Sequence, residues 1–111
     1  MEFIEVEGIE ALVKDLEWRL AETASTIDRL TAEVESLRFN IEVLNLDLDT
    51  FTAFKEAYSD DDWDVKIKDT EETMNEMTEQ LSITEDVINI HEKALKRGKE
   101  IVTKFDGSKY E

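Results

Sequence analysis

The chain lacks the residues that usually interrupt a small globular fold. It contains no cysteine and no proline, and none of its three glycines, Gly8, Gly98 and Gly107, lies in the long interior. The absence of cysteine excludes a disulfide framework and a cysteine-based zinc site. Without proline or interior glycine, we expect long uninterrupted helices rather than short elements separated by turns.

Positive charge is also scarce. The 111 residues carry a formal net charge of -16 at pH 7. Nucleic acids and anionic membranes bind proteins largely through lysine and arginine, so the charge argues against direct binding to either one. We therefore expect the partners to be proteins, particularly basic ones.

Long apolar runs and a targeting segment are missing as well. No window approaches the roughly 18 consecutive apolar residues that a membrane-spanning helix needs. The opening MEFIEVEG has neither a basic leader nor a long apolar stretch. The sequence therefore predicts a soluble, cytoplasmic protein.

Apolar residues recur in steps of three and four along the first half of the chain, and we call this row the first seam. It keeps one heptad register, with β-branched residues or leucine at the a positions, mostly leucine at the d positions, and one polar layer at Thr23. A helix of this length, about 75 Å, cannot bury its own apolar face and needs a partner. The members of the first seam are Ile9, Val13, Leu16, Leu20, Thr23, Ile27, Leu30, Val34, Leu37, Ile41, Leu44, Leu48, Phe51 and Tyr58.

A second seam follows in a different register. Its members are Ile67, Thr70, Met74, Met77, Leu81, Thr84, Ile88, His91, Leu95, Gly98, Val102 and Phe105. Continuing the first register would instead bury Asp62, Asp69 and Glu76 in an apolar interface, at a large cost in desolvation. The change of register therefore predicts that the chain reverses near residues 59–64.

These features predict an all-α fold, a long antiparallel helical hairpin of the coiled-coil type, in which each seam covers the other. The predicted parts are an N-terminal extension at 1–8, helix 1 at 9–58, an acidic turn with the helix 2 N-cap at 59–64, helix 2 at 65–105, and a C-terminal tail at 106–111. The alternative is a single bent rod that assembles as a parallel oligomer.

Charges near the two ends of the chain support the hairpin. In a hairpin, an acidic group of residues would lie beside a basic group and pair with it across the base. The acidic group is Glu2, Glu5, Glu7 and Glu10, and the basic group is Lys93, Lys96, Arg97, Lys99 and Lys104.

The acidic stretch YSDDDWDVKIKDTE resembles an EF-hand calcium loop over twelve residues. The candidate metal ligands at loop positions one, three, five and twelve are Asp60, Asp62, Asp64 and Glu71. Val65, however, occupies the position that requires glycine, because the backbone turns sharply there. Lys66 and Lys68 would in addition repel a divalent cation. The resemblance implies a calcium-responsive hairpin as a second alternative function.

A capping role explains the same stretch with fewer departures. Ser59 as N-cap and Asp62 three residues later form a capping box, and the neighbouring aspartates complement the positive end of the helix dipole. The stretch is therefore predicted to reverse the chain and to start the second helix.

Catalytic motifs are not evident. The single histidine, His91, falls on the second seam between Ile88 and Leu95, where a packed structural residue is expected rather than a base or ligand. The serines carry no nucleophile motif and no glycine-rich phosphate loop exists. The sequence predicts a protein without enzymatic activity and without a cofactor.

Apolar residues outside the seams form two further rows at helical spacing. The row on the first helix comprises Phe39, Val43, Leu46, Thr50, Ala53 and Ala57, and the row on the second comprises Ile83, Val87, Ile90, Ala94 and Ile101. If two hairpins associate antiparallel, each row meets the other row of the partner, and the acidic turn approaches the basic segment 93–104. We therefore predict an antiparallel homodimer, an elongated four-helix bundle. The alternative is a different protein bound to either row.

Function is expected to reside in the surface. The leading hypothesis is an acidic coiled-coil protein that acts by protein-protein binding as an adaptor, assembly factor or inhibitor, comparable to phage accessory proteins. The alternative is a DNA mimic that inhibits a nucleic-acid-binding protein, since no basic residue lies between Lys68 and Lys93. The acidic surface in that segment includes Asp69, Glu72, Glu76, Glu79, Glu85 and Asp86.

Overall fold

The computed structural model describes residues 2–59 and 61–105. Helix α1 spans Glu2–Ala57 and helix α2 spans Asp61–Phe105, and the described residues contain no strand. The predicted all-α helical hairpin is therefore confirmed. The alternative of one bent rod is wrong, because the helices contact each other through residues far apart in the chain, such as Arg38 and Glu85 at 3.1 Å.

Both helices begin earlier than the seams predict. Helix α1 starts at Glu2 rather than Ile9, and helix α2 starts at Asp61 rather than Val65. A seam marks only the part of a helix that faces a partner, so the start of the seam does not fix the start of the helix. In α2 the additional turn is acidic, and carboxylates near a helix N-terminus are stabilised by the helix dipole.

The connection between the helices is short. Helix α1 ends at Ala57, and the amide of Tyr58 still donates to the carbonyl oxygen of Phe54 at 2.8 Å. Ser59 lies two positions before Asp61, the first residue of α2, and the predicted capping box of Ser59 and Asp62 stays a prediction. Residue 60 and the predicted tail at 106–111 lie outside the described residues.

The chain forms two compact units, each containing a segment of both helices. Unit 1 comprises residues 1–30 and 87–111, and unit 2 comprises residues 31–86. Each unit has its own stretch of core along the predicted seams, so we describe the two cores separately.

In unit 2 the two predicted seams pack together. Val34 and Thr84 are buried, with 6% and 4% of their surface exposed, and the remaining seam residues from 37 to 51 and from 67 to 81 are half-buried. The Thr84 hydroxyl donates to the carbonyl oxygen of Gln80 at 2.8 Å, so its burial is compensated by a hydrogen bond. The seams thus form the core as predicted.

In unit 1 a glycine allows the helices to approach closely. Gly98 is buried in the second seam. A Cβ atom at this position would lie 3.2 Å from both Cγ and Cδ1 of Leu20, and closer still to Cδ2. The polar layer at Thr23 is half-buried, and its hydroxyl donates to the carbonyl oxygen of Arg19 at 3.0 Å. A small residue and a polar one therefore fit the seam without disrupting it.

The buried part of each seam is shorter than the helical spacing predicts. Ile9, Tyr58 and Phe105, which were placed at seam ends, are 44%, 69% and 40% exposed. A residue at the end of a seam has fewer neighbours to cover it, so the three-four spacing continues after burial stops. The predicted burial of these three side chains is wrong.

The predicted charge pairing across the base involves side chains that are only partly described. Glu10 is exposed, and Arg97 pairs within its own helix with Glu100 at 3.7 Å. The side chains at positions 2, 5 and 7 lie outside the described residues. The pairing therefore stays a prediction.

Candidate protein-interaction surface

Helix α1 carries an exposed apolar row on the face opposite its seam. Phe39, Val43 and Leu46 are 68%, 39% and 63% exposed, whereas the neighbouring seam residues Leu37 and Leu44 are half-buried. We call the row the α1 stripe, and its members are Phe39, Val43, Leu46, Thr50, Ala53 and Ala57. Burying apolar surface stabilises a contact by about 25 cal/mol per Å². An ordered row of this kind is therefore a candidate binding surface.

Helix α2 carries a corresponding row in unit 1, which we call the α2 stripe. It consists of Val87, Ile90, Ala94 and Ile101. Ile90 and Ile101 are 65% and 39% exposed, Ala94 is exposed, and Val87 is half-buried. Ile83, which was predicted to belong to the same row, is 50% exposed and lies in unit 2. The predicted interface residues are therefore accessible, apart from the half-buried Val87.

A shallow groove lies at the C-terminal end of the α1 stripe. Its volume is about 450 Å³, and it is lined by Asp49, Thr50, Ala53, Phe54, Ala57 and Tyr58. The lining combines small side chains, the two alanines, with two aromatic rings and one carboxylate. The groove is large enough for one long side chain from another helix.

An aromatic cluster beside this groove was not predicted from the sequence. Trp63 stacks on Phe54 with ring centroids 5.1 Å apart and an interplanar angle of 8°, and it also contacts Phe51 at 5.8 Å. Phe54 in turn stacks on Tyr58 at 6.3 Å, and the Lys66 ammonium lies 4.7 Å from the centre of the Trp63 ring. The cluster ties the end of α1 to the start of α2.

One sequence signal could have revealed this cluster. Phe51, Phe54 and Tyr58 are spaced by three and four residues, so they share one side of α1 immediately before the reversal of the chain. Trp63 follows directly after it. Two neighbouring helices joined by a short connection bring such residues together.

An ion pair also joins the helices at this end of unit 2. The Lys55 ammonium contacts the Asp64 carboxylate, and both side chains are about half exposed. The hydrogen bond to Asp64, reinforced by the negative charge of that carboxylate, raises the pKa of Lys55 above its ordinary value. Asp64 is thus engaged by a cation of the protein itself.

The candidate calcium loop is not formed. Helix α2 runs through positions 62, 64 and 71, so these carboxylates project from a helix rather than from the irregular twelve-residue loop that an EF-hand requires. Asp60 lies outside the described residues, and Asp64 contacts Lys55. Within residues 2–59 and 61–105, no group of three acidic, histidine or cysteine side chains is placed to hold a metal ion.

His91 lies where the seam predicts, half-buried on α2 in unit 1. A second open groove, of about 540 Å³, lies in the same unit and is lined mainly by apolar and small residues. Its lining comprises Glu17, Leu20, Ala21, Ala24, Leu95, Lys99, Val102 and Thr103. His91 is not among the residues that line this groove.

The predicted acidic surface residues are all exposed. Asp69, Glu72, Glu76 and Glu79 follow one another in steps of three and four, so they form a row on one face of α2 in unit 2. Asp86 continues the row and is exposed, whereas Glu85 accepts a hydrogen bond from Arg38 at 3.1 Å. The row presents carboxylates to solvent at a regular spacing.

In the described part of the chain, no helix is both long and apolar enough to cross a membrane. Comparisons of the chain with protein-family models, with curated proteins and with solved structures found no match in any of the three. A functional assignment therefore has to be argued from the surface of the hairpin.

Proposed function

We propose that this helical hairpin has no catalytic role and acts by binding another helix through the α1 stripe, as an adaptor, assembly factor or inhibitor does. The observation that carries the proposal is the exposure of Phe39 and Leu46, at 68% and 63%, on the face of α1 that does not contact α2. Solvent-exposed side chains of this size, ordered at coiled-coil spacing, favour a helical partner over a flat surface.

The experiment is a binding comparison with charge-matched variants of the full chain. The Val43→Glu/Leu46→Glu variant places two carboxylates in the stripe, and the Asn45→Glu/Asn75→Glu variant adds the same charge at exposed positions outside it. Both variants should keep the helical circular dichroism of the wild type. Proteins captured from the native host by the wild type and by the asparagine variant should be lost with the stripe variant.

A partner that binds the stripe variant as strongly as the wild type would show that binding uses another surface. The acidic row on α2 would then be the next surface to test. Its regular spacing supports a second candidate function, namely mimicry of DNA by Asp69, Glu72, Glu76 and Glu79. One carboxylate per 3.5 residues of helix corresponds to one charge per ~5 Å, compared with ~3.4 Å along one DNA strand.

DNA mimicry has its own test. A partner held by the acidic row should be a DNA-binding protein, should be displaced by duplex DNA, and should be released steeply as salt concentration rises. The Glu72→Gln/Glu76→Gln/Glu79→Gln variant should lose that partner while the stripe variant keeps it. Binding that is indifferent to salt and to the glutamine substitutions would contradict mimicry and agree with the adaptor function.

A further inference from the structure

We propose that the partner of the α1 stripe is a second copy of this chain, and that Arg97 of the second copy enters the groove lined by Ala53, Phe54 and Ala57. This inference rests on the proposed binding role of the α1 stripe and names its occupant. It is carried by the spacing of the two stripes, by the shape of the groove, and by the charges on either side.

The α1 stripe has the same spacing as the α2 stripe when Arg97 is counted with the latter. Positions 43, 46, 50, 53 and 57 of α1 are separated by three, four, three and four residues, and so are positions 87, 90, 94, 97 and 101 of α2. Helices with equal heptad spacing can pack side by side over several turns without losing register. When Val43 is set against Val87, Leu46 faces Ile90 and Ala57 faces Ile101.

Arg97 is the one charged residue in this register, and it falls opposite the groove. In the alignment it faces Ala53, whose neighbours Thr50, Phe54 and Ala57 complete the lining at that level. Residues at i, i+3, i+4 and i+7 form the four-sided hole that accepts a side chain of a facing helix in a coiled coil. Small alanines leave room there for the aliphatic part of an arginine.

The charges of the groove and of the arginine are complementary. Asp49 lines the groove together with the small and aromatic side chains, so a guanidinium that enters the groove would meet a carboxylate. The Arg97 side chain is 77% exposed, and its contact with Glu100 is a helix-surface pair at 3.7 Å. Four lysines lie near Arg97 in the sequence, and their positive charges attract a second chain of net charge -16. They are Lys93, Lys96, Lys99 and Lys104.

An isologous pairing makes this contact twice. The α1 stripe of each copy covers the α2 stripe of the other, as two-fold symmetry requires. Association would remove apolar surface from water at or next to the matched positions of the two stripes. The largest exposed side chains there are Phe39, Leu46 and Ile90, each more than 60% exposed.

Oligomeric state is measured by sedimentation equilibrium of the full chain. The wild type should be a dimer, and Arg97→Glu should raise the dimer dissociation constant at least about tenfold. Lys14→Glu makes the same change of charge at an exposed residue outside both stripes and should leave the constant within about twofold. The swapped chain Asp49→Lys/Arg97→Glu should recover affinity relative to Arg97→Glu alone. A monomeric wild type, or a dimer indifferent to Arg97→Glu, overturns the inference.

Disulfide crosslinking tests the register, because the chain has no native cysteine. An equimolar mixture of Thr50→Cys chains and Ala94→Cys chains should form a disulfide-linked dimer that neither chain forms alone. A mixture of Ala32→Cys and Ala94→Cys chains should not. A disulfide between two Thr50→Cys chains would show that the same segment of α1 from both chains meets at the interface. That result would overturn the proposed register. A monomeric wild type whose foreign partner still depends on Val43 and Leu46 would leave the proposed function standing and remove only the second copy.

Discussion

The side chain of Leu20 occupies the space that a side chain at Gly98 would need. A Cβ atom on Gly98 would lie 3.2 Å from Leu20 Cγ, closer than ordinary van der Waals contact. A helix normally disfavours glycine by about 1 kcal/mol relative to alanine. The buried seam of unit 1 nevertheless contains one, because the leucine packs directly against the backbone of α2.

The first prediction concerns this close approach. Gly98→Ala should lower the free energy of unfolding by up to about 2 kcal/mol, because overpacking costs about 1–3 kcal/mol and the gain in helix propensity offsets about 1 kcal/mol of that cost. Gly8→Ala is the matched control, since nothing lies within 4 Å of a Cβ atom there. That variant should be neutral or slightly stabilised. Both values come from urea denaturation monitored by circular dichroism.

A second substitution checks the physical reason. Leu20→Ala removes the side chain that the new methyl group would contact, so Gly98→Ala should no longer destabilise a chain that already carries Leu20→Ala. If Gly98→Ala stabilised the chain as much as Gly8→Ala does, Leu20 would not be packed on the α2 backbone in solution.

The second prediction concerns the aromatic cluster. Trp63→Ala should lower the free energy of unfolding by about 2–3 kcal/mol, because it removes a half-buried ring and its stacking on Phe54. Trp18→Ala removes the other tryptophan, which is 62% exposed, and should change stability by less than about 0.5 kcal/mol. A double-mutant cycle between positions 54 and 63 should give a coupling of about 0.5–1.5 kcal/mol. Equal effects of the two tryptophan substitutions would contradict the stacked geometry.

The third prediction separates the seam from the stripe on one helix. Leu44 is half-buried in the seam of unit 2, whereas Leu46, two residues later, is 63% exposed. Leu44→Ala should therefore cost about 2 kcal/mol or more of stability, and Leu46→Ala less than about 0.5 kcal/mol, at a concentration where the chain is monomeric. A larger loss for Leu46→Ala would mean that the stripe is covered within a single chain.

The fourth prediction concerns pH. The pKa of Lys55 is raised in the folded state by its hydrogen bond and attraction to Asp64, so the pair stabilises the fold most fully below the ordinary value of 10.5. That contribution is lost as the pH rises through the raised pKa. Lys55→Met should be less stable than the wild type near neutral pH, and the difference should shrink in strongly alkaline solution. The effect should be small because both side chains are about half exposed.

Asp64→Asn supplies the control for this titration. In a chain that carries Asp64→Asn, Lys55→Met should have little effect at any pH, because the partner carboxylate is gone. If the stability difference between Lys55→Met and the wild type stayed unchanged above the Lys55 pKa, its cause would be the packing of the lysine's aliphatic chain rather than its charge.

Much of the fold could be predicted from periodicity alone. A heptad seam is a local pattern, since residues three and four apart share one face of a helix whatever the tertiary structure is. The change of register that would otherwise bury Asp62, Asp69 and Glu76 then required the chain to reverse. The exposed stripe at Phe39, Val43 and Leu46 was predicted for the same reason, because it lies on the helix face opposite the seam.

Other features depend on how the two helices lie against each other, and a sequence signal can indicate that residues meet there but not how they pack. Leu20 packs against Gly98 across the two helices, and these residues are far apart in the chain. Trp63 stacks on Phe54 from the other side of the turn. Both contacts depend on the distance between the helices. Helix α2 begins at Asp61 and occupies the place of the candidate calcium loop. The same aspartates that could ligate an ion also favour the first turn of a helix. Local spacing therefore determined the helices and their faces. Only the tertiary structure decided which side chains fill the contact between them, because that contact joins residues far apart in the chain.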